Sequence, residues 1–379
     1  MLKNKASEKK RFGIFNILML IFNIASLAAL ILSYLSSHIS PERSWLLPFF
    51  GLFYPFLLLV NLFFMVYWIL RKRWIFLVSA LVIIIGWNHV QRTYQIRFTR
   101  EVSSFDHSFK VVSYNVKNLS NDNVDLVEPE VRNQIIGFLD SQNSDIICLQ
   151  EFAVVHPEPG AFIYSLSLLL NMPYHAYSLY LTKPRRLMDG VFIFSKFPII
   201  YEEPINNDNT HNYGLLADLL IGPDTVRVFN VHLESIRLKH EDYNFISEFD
   251  LQFEKDEKIK ERSYRIIKKL RTAFHRRAAQ VENLAEFIKK SPNPVILCGD
   301  FNDTPNSYTY QKLTALLNDA FIDSGTGFGN TYIGKLPSYR IDFILYDEYF
   351  TSLKSQRIPV KYSDHYPVRC IIDLRKNIN

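Results

Sequence analysis

Cysteine is scarce in this chain, with three in 379 residues. Cys148, Cys298 and Cys370 each sit inside an apolar, strand-like run (DIICLQ, PVILCGD and PVRCII). That placement argues against a disulfide framework and predicts buried thiols. Cys/His spacing of the zinc-binding kind is absent, so no zinc site is expected. Internal repeats are missing too. So is a positive excess over most of the chain: residues 91–379 hold 34 Lys/Arg against 36 Asp/Glu, whereas residues 1–90 hold nine against two. The formal net charge of +5 therefore comes from the amino-terminal part. The remainder is not a basic domain of the kind dedicated to nucleic acid.

Long apolar runs are what the amino-terminal part has. Phe12 to Tyr34 is apolar apart from Asn16, Asn23, Ser26 and Ser33, and at about 1.5 Å per residue it can span a bilayer core. Trp45 to Leu70 is a second run, with Pro48 and Pro55 placed to kink it. Trp74 to Val90 is a third, with a strongly apolar part of 14 residues, plausible as the return arm of a hairpin. A cleaved signal peptide fits poorly, because the first apolar region is too long and no small-residue cleavage motif follows it. Residues 1–90 are therefore expected to form an anchor of three transmembrane helices (about 12–34, 45–70 and 74–90), with 91–108 as a linker.

Basic flanks set an expected orientation. Lys3, Lys5, Lys9, Lys10 and Arg11 precede the first run, and Arg71, Lys72 and Arg73 separate the second from the third. The positive-inside rule puts both in the cytoplasm. Three crossings then place the rest of the chain on the extracytoplasmic side of the cytoplasmic (inner) membrane, against the mild opposing pull of Arg92, Arg97 and Arg100.

From Phe109 onward, short β-branched runs alternate with helical periods, which predicts one α/β domain over about 109–375. FKVVSYNV, SDIICLQ, GVFIFSK, LLADLLI, TVRVFNVHL, NPVILCGD, RIDFILYD and YPVRCIIDL are the expected strands. Helices are expected around Val131–Leu139, Ala161–Leu170 and Thr309–Leu317. A charged insertion at about 235–275 stands apart. Its residues 255–277 hold ten Lys/Arg against three acids. Ile259, Ile266, Leu270, Phe274, Ala278, Val281, Leu284 and Ile288 recur at mostly helical steps, predicting a long amphipathic helix with a basic front half. That half is either a solvated face or a strip that meets phosphate head groups or a polyanion.

Several expected strands end in the same kind of residue. The clusters are SYNV with Asn115, CLQE with Glu151, NVHL with Asn230 and His232, GDFND with Asp300, Asn302 and Asp303, and SDH with Asp364 and His365; RIDFIL adds Asp342. Each alone has an ordinary explanation: a turn cap at Asn115, a core histidine at His232, an Asp342 paired with Arg340 or Arg357. Within GDFND, Asp300 and Asn302 are two apart on an extended chain and should face one side, with Phe301 turned to the core and Asp303 left to the turn that follows. As a set, carboxylates and amides at the ends of buried strands are costly unless paired or bound to metal. Carboxylates, amides and two histidines without thiolates suit a hard divalent cation, Mg²⁺ or Mn²⁺.

In this order, SYNV, LQE, DGVFIFSKFPI, NVHLES, GDFND, RIDFIL and SDHYPV resemble the endonuclease/exonuclease/phosphatase superfamily with the DNase I-like fold. The resemblance covers about Phe109 to Leu374. It implies a four-layered α/β sandwich and metal-dependent cleavage of a phosphoester. Carried over residue by residue, it implies Glu151 as principal metal ligand, with Asn115 beside it and Asp364 completing the set. Asp300 would position or deprotonate the attacking water, with Asn302 in support. His232 and His365 would bind the phosphate, Asp342 holding His365 in the right tautomer. The long insertion departs from the family pattern, which resumes near His275, Arg276, Arg277 and Gln280. It leaves the substrate open between a phospholipid or its head group and nucleic acid. A non-catalytic, membrane-tethered scaffold on the same fold is the alternative, and no obligate protein partner is expected.

Overall fold

β-branched and aromatic runs of five to nine residues become strands here because their alternate side chains have two different layers to enter. The chain is described by a computed structural model covering residues 13–97, 108–120, 127–155, 159–182, 187–206, 213–247, 257–335 and 337–374. The basic amino terminus, residues 98–107 of the expected linker and residues 248–256 of the insertion lie outside the described residues. In chain order the helices are α1 (Ile14–Ser36), α2 (Leu47–Leu52), α3 (Tyr54–Leu70), α4 (Phe76–Ile85), α5 (Trp87–Thr93) and α6 (Pro129–Ser141). They continue with α7 (Pro159–Leu169), α8 (His240–Ser247), α9 (Glu257–Lys289), α10 (Tyr308–Thr314) and α11 (Ala320–Ser324). The strands begin with β1 (Tyr94–Gln95), β2 (Ser108–Asn115), β3 (Ile146–Gln150), β4 (Val154–Val155), β5 (Tyr174–Thr182), β6 (Leu187–Ser195), β7 (Ile199–Ile205) and β8 (Gly214–Ile221). After them come β9 (Asp224–His232), β10 (Val295–Asp300), β11 (Asn318–Asp319), β12 (Gly327–Phe328), β13 (Asp342–Tyr346), β14 (Phe350–Arg357) and β15 (Val368–Leu374).

Two mixed sheets pack face to face. One has the order β11-β13-β10-β9-β8-β7; the other runs β14-β15-β2-β3-β6-β4, with β5 also paired to β6. Val111, Cys148 and Ile193 from the second sheet meet Leu215, Val228 and Ile296 from the first in a shared core. Neighbouring residues point outward. Val112 and Ile147 pack under α6 and α7 through Ile135, Leu139, Ile163 and Leu166. Phe229 and Leu297 pack under α9 and α10 through Val281, Leu284 and Leu313. The layers are thus helix, sheet, sheet, helix, as the resemblance implies. All three cysteines are free and buried, as expected. The long helix is present, with Phe274, Ala278, Val281, Leu284 and Ile288 as its buried face.

Seven strands escaped the sequence reading: β1, β4, β11 and β12 are pairings of two residues each, and β5, β7 and β14 are longer. β7 carries Pro204 and two glutamates and lies at a sheet edge, where proline is tolerated. β14 is half polar and carries a register shift between Ser352 and Lys354. The aromatic β5 fills the remaining side of β6.

The apolar runs differ from expectation in detail. The second is two helices meeting at Phe53, because Pro48 and Pro55 each lie in the first turn of a helix, where proline starts rather than kinks it. The third divides into α4 and α5 at Gly86, where a Cβ would come within 2.1 Å of the Tyr34 ring. Among the described residues, α1 alone is a single helix long and apolar enough to cross a membrane. The expected set of three spanning helices is therefore one such helix and four shorter pieces. These pieces pack against α1 through polar contacts: Tyr67 to Asn16 at 2.7 Å, Trp68 to Asn23 at 3.0 Å, Asn61 to Ser26 at 2.8 Å and Asn23 to Ser79 at 3.2 Å.

Candidate active site

Strand direction gathers the candidate residues. β2 and β3 run parallel and end at Asn115 and Gln150, one residue before Glu151. β9 and β10 are also parallel, and their register sets His232 directly beside Asp300. β13 runs the other way, so its first residue, Asp342, is the opposite partner of Asp300. β15, antiparallel to β2, begins just after Asp364 and His365. Both sheets therefore deliver polar side chains to one end of the sandwich.

The side chains meet through hydrogen bonds and ion-pair contacts. Asn115 Nδ2 donates to Glu151 Oε1 and to Asp300 Oδ2, each at 3.0 Å, tying the two sheets together at the site. His232 Nε2 lies 3.2 Å from Glu151 Oε1 and 3.7 Å from Asp300 Oδ2. His365 Nδ1 lies 2.9 Å from Asp342 Oδ2, and its Nε2 is 3.8 Å from Asp300 Oδ2. Asp342 thus pairs with His365, while Arg340 is taken by Asp319 at 2.7 Å. Asp364 sits at the rim, 3.9 Å from Lys117 Nζ. It belongs to neither group of three that comes within 4.8 Å, Glu151–His232–Asp300 or Asp300–Asp342–His365.

Burial and charge act against each other here. Burial pushes the Asp300 carboxyl up, while the imidazoles of His365 and His232 pull it back. Burial alone would lower His365, but the Asp342 and Asp300 carboxylates hold its proton and carry it up to about 10. His365 thus holds its proton more tightly than a free imidazole, with Nδ1 against Asp342 and Nε2 facing Asp300.

The expectation for GDFND is met in outcome but by another route. Phe301 turns into the core and stacks on Phe343, with ring centroids 4.6 Å apart. Asn302 reaches the Asp300 side by leaving the extended conformation, at φ +51°. Its N–H donates to Asp300 Oδ1 at 2.7 Å and its Nδ2 to Asp300 Oδ2 at 3.2 Å. Gly299 is required one residue earlier: its φ is +149°, and a Cβ would meet the Val231 carbonyl oxygen at 2.0 Å.

Some residues around the site take partners that the sequence did not assign to them. Asp303, expected as an ordinary turn residue, pairs with the buried Arg277 at 3.1 Å and accepts from Thr309 at 3.0 Å. Asn230 bridges the sheets: it accepts from Gln150 at 2.6 Å and donates to the Leu149 and Phe192 carbonyls. Tyr243, from α8 of the insertion, is half-buried; burial pushes its hydroxyl up, a hydrogen bond with Tyr332 works against that, and the Asp364 and Glu151 charges add to it. Arg277 and Asn230 offered a local signal, a charge or an amide within an apolar pattern; Tyr243 offered none.

The residues present fit a divalent cation. Three carboxylates (Glu151, Asp300 and Asp342) converge with amides and two imidazoles and no thiolate, with Asp364 at the rim, the donor chemistry of a hard ion. His232 Nε2 is buried and makes no hydrogen bond of acceptable geometry, although Glu151 lies within ion-pair distance.

Comparison with known proteins agrees with this architecture. The endonuclease/exonuclease/phosphatase family matches residues 112–365, and the chain belongs to it. A domain of unknown function (DUF8431) matches residues 16–93, the helical part. No curated protein matches the chain. An endonuclease/exonuclease/phosphatase from Beutenbergia cavernae DSM 12333 is similar in fold, at 17% identity and a TM-score of 0.50, over 71% of this chain and 72% of that one. An endonuclease/exonuclease/phosphatase family protein from Leptotrichia buccalis C-1013-b is similar at 14% identity and a TM-score of 0.50, over 71% of this chain and 100% of that one.

Proposed function

We propose that the chain is a membrane-anchored phosphoesterase dependent on Mg²⁺ or Mn²⁺. The observation that carries this reading is the convergence of Asn115, Glu151, His232, Asp300, Asp342 and His365 at one end of the sandwich. Glu151 and Asn115 would hold the cation, with Asp364 at the rim completing the set and His232 within reach. The cation, when bound, supplies Lewis-acid polarisation of a phosphoryl oxygen. Asp300, steadied by the Asn302 N–H, accepts the proton of the attacking water. That water forms the new P–O bond as the ester P–O bond breaks. His365 donates from Nε2 to the phosphoryl oxygens, and Asp342 fixes its ring from the other side. His232 adds a second imidazole on the same face.

The anchor is part of the proposal. Residues 14–93 reverse the polarity of a soluble bundle. Asn23, Asn61, Ser33 and Ser79 are buried, while Phe15, Phe22, Leu59, Phe63, Leu81 and Ile84 are exposed. That pattern matches solvation by lipid. The start of α1 lies beside the end of α3, whereas its other end, at Ser36, donates to the Asn306 carbonyl at 3.0 Å. Three crossings, with α3 and the α4–α5 pair as the shorter ones and the catalytic domain on the side opposite the basic turn Arg71–Arg73, are the reading that this arrangement and the basic flanks support.

Asn306 lies four residues beyond Asn302, and His89 Nδ1 approaches its Oδ1 to 2.8 Å. The loop after the catalytic strand thus rests on the membrane-side helices. This closeness favours a phospholipid or head-group phosphoester over nucleic acid. The test is turnover by the full-length protein in nanodiscs on a panel of phospholipid, plasmid DNA, RNA and bis-nitrophenyl phosphate. Metal-dependent release from phospholipid supports the reading. Turnover of nucleic acid alone transfers the substrate assignment, and no turnover of any member favours the scaffold alternative.

A further inference from the structure

The front half of α9 presents a stripe that the catalytic chemistry does not use. Lys260, Tyr264, Ile267, Arg271 and Phe274 follow one another at steps of four and three, so they share one face of the helix. The last two meet the membrane-side bundle. Phe274 packs edge-on against Phe49, with ring centroids 5.4 Å apart, and the Arg271 guanidinium lies 5.3 Å over the Trp45 ring. Trp45 and Phe49 stand where α1 hands over to α2, at the end of the bundle that carries the catalytic domain. The flank of α9 turned toward α8 is occupied instead by Arg262 over Phe245 and by the Arg265–Glu241 and Lys269–Asp242 pairs.

Upstream of Arg271 the stripe continues past the bundle. At about 1.5 Å per residue, Lys260 lies about 16 Å beyond Arg271 along the helix axis. Tyr264 is 68% exposed and Ile267 is 41% exposed, and Lys260, Lys268 and Arg271 are exposed beside them. Residues 259–272 hold six Lys/Arg and one acid, Glu261. Trp45 and Leu46, at the same end of the bundle, are exposed as well. An exposed aromatic and an aliphatic side chain within a basic face, continuous with a tryptophan at the bundle end, have the composition of a helix lying in a membrane interface.

We propose that the front half of α9 lies on the bilayer surface and binds anionic phospholipid head groups through Lys260, Lys268 and Arg271, with Tyr264 and Ile267 set into the interface. The proposal rests on the membrane embedding of residues 14–93. It makes α9 a second attachment that fixes how the catalytic domain sits above the lipid.

The experiment uses full-length protein in nanodiscs with single nitroxide labels at Tyr264→Cys, at Leu59→Cys or at Glu241→Cys, an exposed position of α8 on the flank of α9 away from the stripe. The three native cysteines are buried, so labelling is directed to the new thiol. In discs containing phosphatidylglycerol, the label at 264 should lose accessibility to a water-soluble nickel chelate by about threefold relative to discs of phosphatidylcholine alone. The label at 241 should stay aqueous in both, and the K260Q/K268Q/R271Q variant should abolish the difference at 264. An aqueous label at 264 in anionic discs, with the label at 59 shielded by lipid, overturns the proposal and leaves the anchor standing. An aqueous label at 59 overturns the anchor and the proposal with it. Protection of 264 by a single-stranded oligonucleotide but not by lipid also overturns it, and assigns the strip to nucleic acid.

Discussion

His365 and Asp342 come from opposite sheets, yet His365 Nδ1 lies 2.9 Å and 3.1 Å from the two Asp342 carboxylate oxygens. Both side chains are buried, so the carboxylate has little other solvation and the imidazole little rotational freedom. The pair aims Nε2 toward Asp300. Asp342 acts through His365 rather than on substrate, and Asp342→Asn should show this. The expected result is a fall in kcat of about 10²-fold or more with KM nearly unchanged. A rise in KM with unchanged kcat would remove the positioning role.

The Arg277–Asp303 pair should be structural. Arg277 is fully buried and also donates to the Glu234 carbonyl at 2.8 Å. Asp303→Ala leaves that guanidinium without its carboxylate and should cost about 3 kcal/mol or more. The double variant Arg277→Met/Asp303→Leu should lose less than the single one. Chemical denaturation of the parent and the two variants measures the difference, and a double variant that loses more than Asp303→Ala would contradict the pairing.

Acid should loosen α8 from α9 before the fold is lost. Burial by itself would raise the Asp242 carboxyl, but the Lys269 ammonium and the Lys239 N–H hold it below the ordinary carboxylate range. A lowered carboxyl contributes stability above its unfolded value, and that contribution disappears as pH falls through the folded value. Hydrogen-exchange protection in residues 240–247 should be constant from about pH 7 to about pH 5 and fall below about pH 4. Asp242→Asn should remove the acid step; its persistence would assign the step to another group.

Topology has its own test. A reporter active only after export, fused behind Asn379, should be active, and a fusion in the basic turn 71–73 should be silent. A cytoplasmic signal from the first fusion would overturn the three-crossing arrangement.

Much of this site was legible in the chain because its residues sit where strands end. A strand of buried residues that stops at Asn115, Glu151, His232 or Asp300 announces itself, since nothing in a core stabilises those groups. Side-chain pairing across the sheets was not legible. Asn230 with Gln150, Arg277 with Asp303 and His89 with Asn306 join residues that only the fold brings together. Helix breaks were half legible: the prolines were visible, but Gly86 gives way because Tyr34 occupies the space of its absent Cβ. Asn302 turned out left-handed rather than extended, because its N–H serves Asp300.

The central claim is that Asp300 and His365 carry out metal-dependent hydrolysis. The direct measurement is turnover of bis-nitrophenyl phosphate by full-length protein in nanodiscs, with Mg²⁺ or Mn²⁺ added or chelated. Activity should require the cation and should fall by about 10²- to 10⁴-fold in Asp300→Asn and in His365→Ala. Both variants should keep the circular dichroism of the parent, His365→Ala with a lowered melting temperature because it leaves Asp342 buried without its partner. Turnover that survives both substitutions, or that is indifferent to chelation, would contradict the account.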